Sequence, residues 1–469
     1  MIASTAHQST LFYAAFGREA ALIKDDLLDE LDILLDDPEL VRLARDALAS
    51  RAPRSSTMGA RGKISPDQLV RSCALKHLKG WSFRELEREI RGSLVYRRFT
   101  RFDGLPVPTY KTFSCNFASF GEEATQRLHE RIVCNAIEEK ITHGGKLRTD
   151  TTVVESNVHH PTDSTLLADG IRVLTRTLGH ISNECESGAL KVVNHARATK
   201  NRVLEIHRAA KSFSESAKER MKDGYRRLLS ITRSVVDQAE SIGERLAAGT
   251  LKLAANASVP RMVALQENLS HFTPLVNKVI AQTRARVFGG DNHVKGKILS
   301  IFEEHTAVIC KGKAHKPCEF GRLVRIDEVE GGIVSNYEVQ DGNNKKIFGR
   351  APRMATADRG YFSAANIKAA EQSGVKRVVL PGRGRLSEER AKTQKERWFR
   401  RGLRWRSGIE ARIATLKHRF GMARAFYKGD KGFKRFVGWS VIAQNLVSIA
   451  REKVRRRKAA RDERKRKAA

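Results

Sequence analysis

KLRTDTTVVESNV, residues 146–158, decides the fold. The run is rich in threonine and valine and is short enough for a strand. Aspartate is disfavoured inside strands, yet Asp150 sits mid-run among strand-forming Thr149, Thr151, Val153 and Val154, so an acid there needs a chemical reason. Strand patterns return downstream in GKILSIFEE (296–304), HTAVICKG (305–312), GRLVRIDEVEGGIVSNYEVQDGN (321–343) and PRMATADRG (352–360). Gly331-Gly332 and Asp341-Gly342-Asn343 mark turns in that region. AANIKAAEQSG (364–374) reads as a helix closed by Gly374, VKRVVLPG (375–382) as a short buried strand, and a final helical region begins near Arg390. Between the first strand and the later ones, residues 164–285 carry helical periodicity with no internal chemistry. The order predicts a mixed α/β domain interrupted by a helical insert.

Upstream, REAALIKDDLLDELDILL (18–35) is acidic and leucine-rich, and RAPRSSTMGARGK (51–63) reads as a linker. In SPDQLVRSCALKHLKGWSFRELEREIRGSLVYRRFTRF (65–102), Ser65-Pro66 signals one helix start, and Ser82 with Glu85 three residues on signals another. Short helices studded with arginine predict a DNA-docking module, a solvated helical bundle being the alternative. The tail REKVRRRKAARDERKRKAA (451–469) is a basic low-complexity segment.

The chain has 469 residues, enough for roughly three domains. Its net charge of +34, from 87 Lys plus Arg against 53 Asp plus Glu, is spread along the chain and predicts an anionic polymer as partner. No window approaches the apolar length needed to span a bilayer, and the N-terminus lacks a signal-like core, so a cytoplasmic, nucleoid-associated protein is expected. The six cysteines show no C-x-x-C pair and read as small hydrophobes, not zinc ligands.

Three carboxylates carry the chemistry. Asp150 lies in the first strand, and Asp358 ends the strand of PRMATADRG, where α/β folds commonly place function. Glu410 lies in WRSGIEARIATLKHRF (405–420), where Ile409, Ile413, Leu416 and Phe420 form one apolar stripe. Arg406, Glu410 and Lys417 share a face bordering that stripe. Phosphoryl transfer between nucleotides needs an activated nucleophile and a stabilised leaving alkoxide, which two hard cations about 3.5–4 Å apart provide. Magnesium, or manganese in its place, takes oxygen ligands, so three acids from separate elements suit such a site. Arg406 and Lys417 would hold phosphates or offset charge on the scissile group.

These segments resemble the insertion-sequence transposases of the DDE class, with a ribonuclease-H-like catalytic domain and the signature Tyr-x2-Arg-x3-Glu-x6-Lys. LRWRSGIEARIATLK (403–417) matches it at Arg406, Glu410 and Lys417, with Leu403 at the tyrosine position. LRTDTTVVESNVHHPTDSTLLADGIR (147–172) is similar to the first catalytic segment and TADRGYFSAANIKAAEQSGVKRVVLPGRG (356–384) to the second. QLVRSCALKHLKGWSFRELEREIRGSLVYRRF (68–99) looks like the N-terminal module, so the resemblance spans roughly 60–450. It implies Asp150, Asp358 and Glu410 as catalytic and metal-binding residues, DNA as partner, and dimers or higher assemblies that bring two element ends together. The helical insert between the two aspartates resembles the ISNCY group.

Other polar groups have plainer readings. His159 and His160 are adjacent in an extended segment and cannot chelate one ion together. Thr162 and Asp163 cap a helix starting near Leu166, and Asp169 falls within it. Glu155 and Asp327 compete as strand carboxylates. Arg383 and Arg385, in the loop Pro381–Arg385, suit backbone phosphate contacts. Trp398 and Trp405 could stack on an unpaired base, with core packing the stronger expectation.

The expected organisation is an N-terminal helical segment and linker (1–60), a helical DNA-binding domain (61–140), a ribonuclease-H-like catalytic domain (141–450) with its insert at 164–285, and a basic tail (451–469). The expected reaction is cutting of element ends and joining to target DNA. The competing readings are a non-catalytic DNA-binding derivative and a ribonuclease-H-like nuclease without strand transfer.

Overall fold

A computed structural model describes residues 25–51, 64–313, 316–339, 350–382, 384 and 386–468. Most of the 51–63 linker, the Asp341-Gly342-Asn343 turn, Arg383 and Arg385 lie outside the described residues. The chain divides into two compact units, one made of Met1–Asn157 with Gly321–Ala469, the other of Val158–Phe320.

The first unit is built on a mixed sheet, of which β2 and the first residues of β3 fall within residues 158–320. Strand β1 is Lys146–Ser156, β2 Ala307–Lys313, β3 Lys316–Val329, β4 Ile333–Glu338, β5 Met354–Thr356, β6 Arg377–Val379 and β7 Arg424–Ala425. The order is β2-β3-β1-β5-β6, with β4 on β3 and β7 on β1. β1 runs antiparallel to β3, β3 antiparallel to β4, and β1, β5 and β6 are mutually parallel. An antiparallel meander flanked by parallel strands, with helices against it, is a ribonuclease-H-like mixed α/β core. β1 pairs with β5 only over Lys146–Arg148 and with β7 only at Glu155–Ser156. On that side the paired register leaves a notch opposite residues 149–154, and Asp150 lies in it.

The helix Arg397–Arg419, the site helix, covers one face of the sheet. Its Ile409 and Leu416 pack with Val154, Val324 and Ile326, and Gly402 and Gly408 bring its backbone close. A Cβ at Gly402 would collide with Val379 of β6, and one at Gly408 with the Arg148 guanidinium of β1. Glu328, fully buried, joins the layers. It accepts from Arg148 Nε at 2.8 Å and from Arg412 Nε of the site helix at 3.0 Å. Arg148 also donates to the Trp405 carbonyl (2.7 Å) and stacks over that ring.

The N-terminal helices share a core with the final helix, Gly429–Ala468: Leu28, Leu35, Leu69, Leu75, Ile90 and Phe117 pack in one cluster with Trp439, Ile442 and Leu446. Ser65 and Ser82 cap their helices through capping boxes with Gln68 and Glu85. Several basic residues of the 65–102 stretch serve the fold. Arg71 is fully buried, bonded to Asp36 (2.6 Å), Asp32 (3.0 Å) and the Leu35 carbonyl, and Lys76 is buried between the Phe83 and Tyr427 rings. The basic tail from 451 continues the final helix, and its Arg457 and Lys458 pair with Glu30 and Asp26. Asn445 of the same helix satisfies both backbone groups of Val334 in β4 at 2.8 Å.

The second unit packs helices Asp163–Glu184, Ala196–Ala209, Glu215–Ala247 and Val259–Val287 around their own core. Thr162 caps the first of them, which starts at Asp163 and not near Leu166. The segment 296–304, expected as a strand, forms none. The Gln282 side chain takes both backbone groups of Ile298 (2.8 and 3.1 Å), and Ile298 and Ile301 fill the floor of the helical core. The thiols also depart from expectation, because Cys115 and Cys310 are exposed and the Cys310 and Cys318 sulfurs lie 2.8 Å apart. No helix among the described residues is long and apolar enough to cross a membrane.

Removing the buried Glu328 carboxylate would leave two guanidiniums facing each other without a counter-charge. Glu328→Ala is expected to lower stability by about 3 kcal/mol, read as a fall in the urea midpoint; an unchanged midpoint would show that the two arginines find solvent instead.

Candidate active site

β1 and β5 set the first two acids side by side. Arg148 pairs with Thr356 in the parallel register, so two residues further along each chain, Asp150 and Asp358 continue on neighbouring paths with side chains on the same face. β5 ends at Thr356, and Asp358 caps the short turn Arg359–Tyr361, accepting from the Arg359 N–H at 2.6 Å. Glu410 comes from the site helix, whose Arg406 lies one turn before it.

The three acids meet on one cation. Arg406 Nη2 is 3.7 Å from Asp150 Oδ2, 3.7 Å from Asp358 Oδ1 and 3.6 Å from Glu410 Oε1. Asp150 is the most recessed, its side chain 17% exposed against 49% for Asp358 and 68% for Glu410. Burial pushes the Asp150 carboxyl above the ordinary carboxylate range. The Thr151 N–H at 2.7 Å and Arg406 oppose that rise, while Asp358 and Glu410 add to it. Lys417 lies about two turns beyond Glu410 toward the helix end, on the face that Arg406 and Glu410 share.

The arrangement supplies the donor type of a hard-cation site without being assembled as one. All three acids offer oxygen donors, as magnesium and manganese require, and the guanidinium stands in for a positive charge at their common point. Among the described residues, however, no group of three or more His, Cys, Asp or Glu side chains stands where it could hold a metal ion. The carboxylates are drawn around the guanidinium instead.

The competing acids are engaged elsewhere. Asp327 is buried, accepting from Thr149 (2.7 Å) and Asn336 (3.0 Å). Glu155 pairs with Arg424 at 2.7 Å and ties β7 to β1. His159 lies 3.8 Å from Asp169, and His160 packs edge-on against Phe320, so the two histidines do not converge. Trp405 is covered by Arg148, and Trp398 bonds Glu396 and lies beneath Arg377.

Two features escaped the reading of the sequence. Tyr361 lies beside the site, its phenol bonded to Thr151 and pushed up by burial and then by the Asp150 charge; its place three residues after Asp358 was the available signal. Arg397, Arg400, Arg401 and Arg404 expose a basic flank on the site helix just ahead of Arg406. That signal was the arginine density of 397–406.

Because the folded state holds the Asp150 proton more tightly than the unfolded chain does, ionising this group costs stability as pH rises above the ordinary carboxylate range. In metal-free buffer, Asp150→Asn is therefore expected to raise the unfolding midpoint at neutral pH. The gain should vanish as pH falls below the ordinary aspartate value of 3.8. A midpoint lowered by the substitution at pH 7 would show that Asp150 is held by attraction to Arg406 more than it is penalised by burial.

Two family models match the chain. Transposase domain (DUF772) matches residues 17–119, the N-terminal helices, and Transposase DDE domain matches residues 340–446, which include Asp358, Arg406 and Glu410. The first match begins well before residue 60, so the acidic leucine-rich helix falls inside it. Asp150 lies outside both. No curated protein and no solved structure matches the chain. A transposase domain is thus matched on either side of the helical insert, and together with the ribonuclease-H-like sheet the two matches support an insertion-sequence DDE transposase.

Proposed function

We propose that Asp150, Asp358 and Glu410 are the catalytic acids of this transposase, that they bind magnesium, with manganese able to substitute, and that the chain nicks element ends and joins them to target DNA. The observation that carries this reading is the convergence of three carboxylates, from β1, from the end of β5 and from the site helix, on the single cationic group of Arg406. A divalent cation held by these oxygens supplies an activated oxygen nucleophile and a stabilised leaving oxygen. Water and the freed 3′-hydroxyl occupy the same nucleophile position in the two successive displacements, so one site serves both.

The chain's own residues bind and orient the DNA. Arg406 and Lys417 hold the scissile phosphate, and the exposed arginines 397, 400, 401 and 404 track the backbone ahead of it, each as a charge-assisted contact. Arg383 and Arg385 are expected to add further phosphate contacts. With leucine at 403, no phenol is offered from the site helix at that position, and Tyr361 supplies a hydroxyl next to Asp150 instead. The helices of 61–140 present Arg84, Arg88, Arg91 and Arg98 outward for duplex docking. Two copies act together on two ends.

The test is cleavage and strand transfer on a labelled duplex carrying the element's own terminal repeats. Asp150→Asn, Asp358→Asn and Glu410→Gln are each expected to reduce the rate by at least about 100-fold with DNA binding retained. If the unmodified protein binds the ends yet neither nicks nor joins them with either cation, the non-catalytic DNA-binding reading replaces this one.

A further inference from the structure

Arg406 does not engage its three acids as Arg148, Arg424 and Arg131 engage theirs. Arg148 meets Glu328 at 2.8 Å, Arg424 meets Glu155 at 2.7 Å and Arg131 meets Asp37 at 2.6 Å, all within hydrogen-bond range. Arg406 Nη2 stands instead at 3.6–3.7 Å from three carboxylates belonging to three elements. That is the position of a central counter-charge, held by the summed field and by no directed bond. Its Nε is buried and has no hydrogen-bond partner, so the side chain keeps an unmet donor, a cost that a phosphate oxygen would relieve. One guanidinium also leaves the three-acid cluster with excess negative charge.

We infer that Arg406 is a built-in counter-ion that exchanges with the divalent cation: the guanidinium fills the cation position in the DNA-free protein and moves onto a DNA phosphate when the cation enters. This rests on the assignment of Asp150, Asp358 and Glu410 as one cation site. A guanidinium and a divalent cation cannot share one point among the same oxygens, because their repulsion at contact distance in a partly buried site is large. Metal alone must therefore displace Arg406 without providing it a new partner, whereas metal with DNA gives it one. Cation and DNA then favour each other, and the coupling is reciprocal. Arg406 is in this sense a positioning residue that delays full charging of the site until a phosphate is present.

Manganese titration of the metal-free full-length chain, followed by electron paramagnetic resonance, tests the exchange without any activity readout. Without DNA, Arg406→Gln is expected to bind Mn2+ about tenfold more tightly than the unmodified chain, while Arg406→Lys, which keeps the charge, stays close to the unmodified value. A short duplex of arbitrary sequence should tighten Mn2+ binding in the unmodified chain and leave Arg406→Gln unchanged. Equal or weaker Mn2+ binding in Arg406→Gln, with binding still lost on Asp150→Asn, overturns the exchange and leaves the carboxylate site standing. Mn2+ binding that survives Asp150→Asn overturns the site assignment and the exchange with it.

Discussion

The site depends on the buried carboxylate of Glu328. It lies on β3 next to a register shift at Asp327/Glu328, is fully enclosed, and is held between Arg148 of β1 and Arg412 of the site helix. Taking a carboxylate out of water costs several kcal/mol, which two guanidiniums at 2.8 and 3.0 Å can offset only in this one geometry. Such a contact contributes little net stability but fixes relative position. It sets which turn of the site helix faces β1, and Arg406 and Glu410 lie within two turns of Arg412. Gly408 completes the constraint, since any side chain there would push the helix off Arg148.

Given that docking, the sheet supplies the rest. Parallel pairing of β1 with β5 stops after Arg148 and Thr356, so both strands release their next residues into a notch, and those residues are where the acids stand. An aspartate is tolerated mid-strand because the notch leaves one side of the ladder without a strand neighbour. Burial there raises the Asp150 carboxyl, so the fold carries a site that is electrostatically unfavourable until a positive charge fills it. Arg406 offsets only part of that cost, since the carboxyl stays raised with the guanidinium beside it. Stability and chemistry pull in opposite directions at this one residue.

Local pattern made the acids legible. Asp150 stood out against strand propensity, Asp358 by ending a strand, and Glu410 by its place beside an apolar helical stripe, and the structure brings these three together around Arg406. What the sequence hid were partners distant in the chain. Arg71 reads as one more basic residue on a docking helix, because Asp32 and Asp36, which bury it, lie more than thirty positions upstream. GKILSIFEE has strand-forming residues, yet its backbone is claimed by Gln282. The tail looked like solvated low complexity because nothing local signals that Glu30 and Asp26 receive its Arg457 and Lys458. Arg148, Glu328 and Arg412 carry no motif at all, although they position everything that does.

The most direct measurement is the anomalous diffraction signal of manganese in crystals of the chain bound to duplex DNA. Manganese is expected in direct coordination with oxygens of Asp150, Asp358 and Glu410, with the Arg406 guanidinium moved onto a phosphate. Manganese bound only elsewhere, or these three carboxylates still gathered on Arg406 with DNA in place, would contradict it.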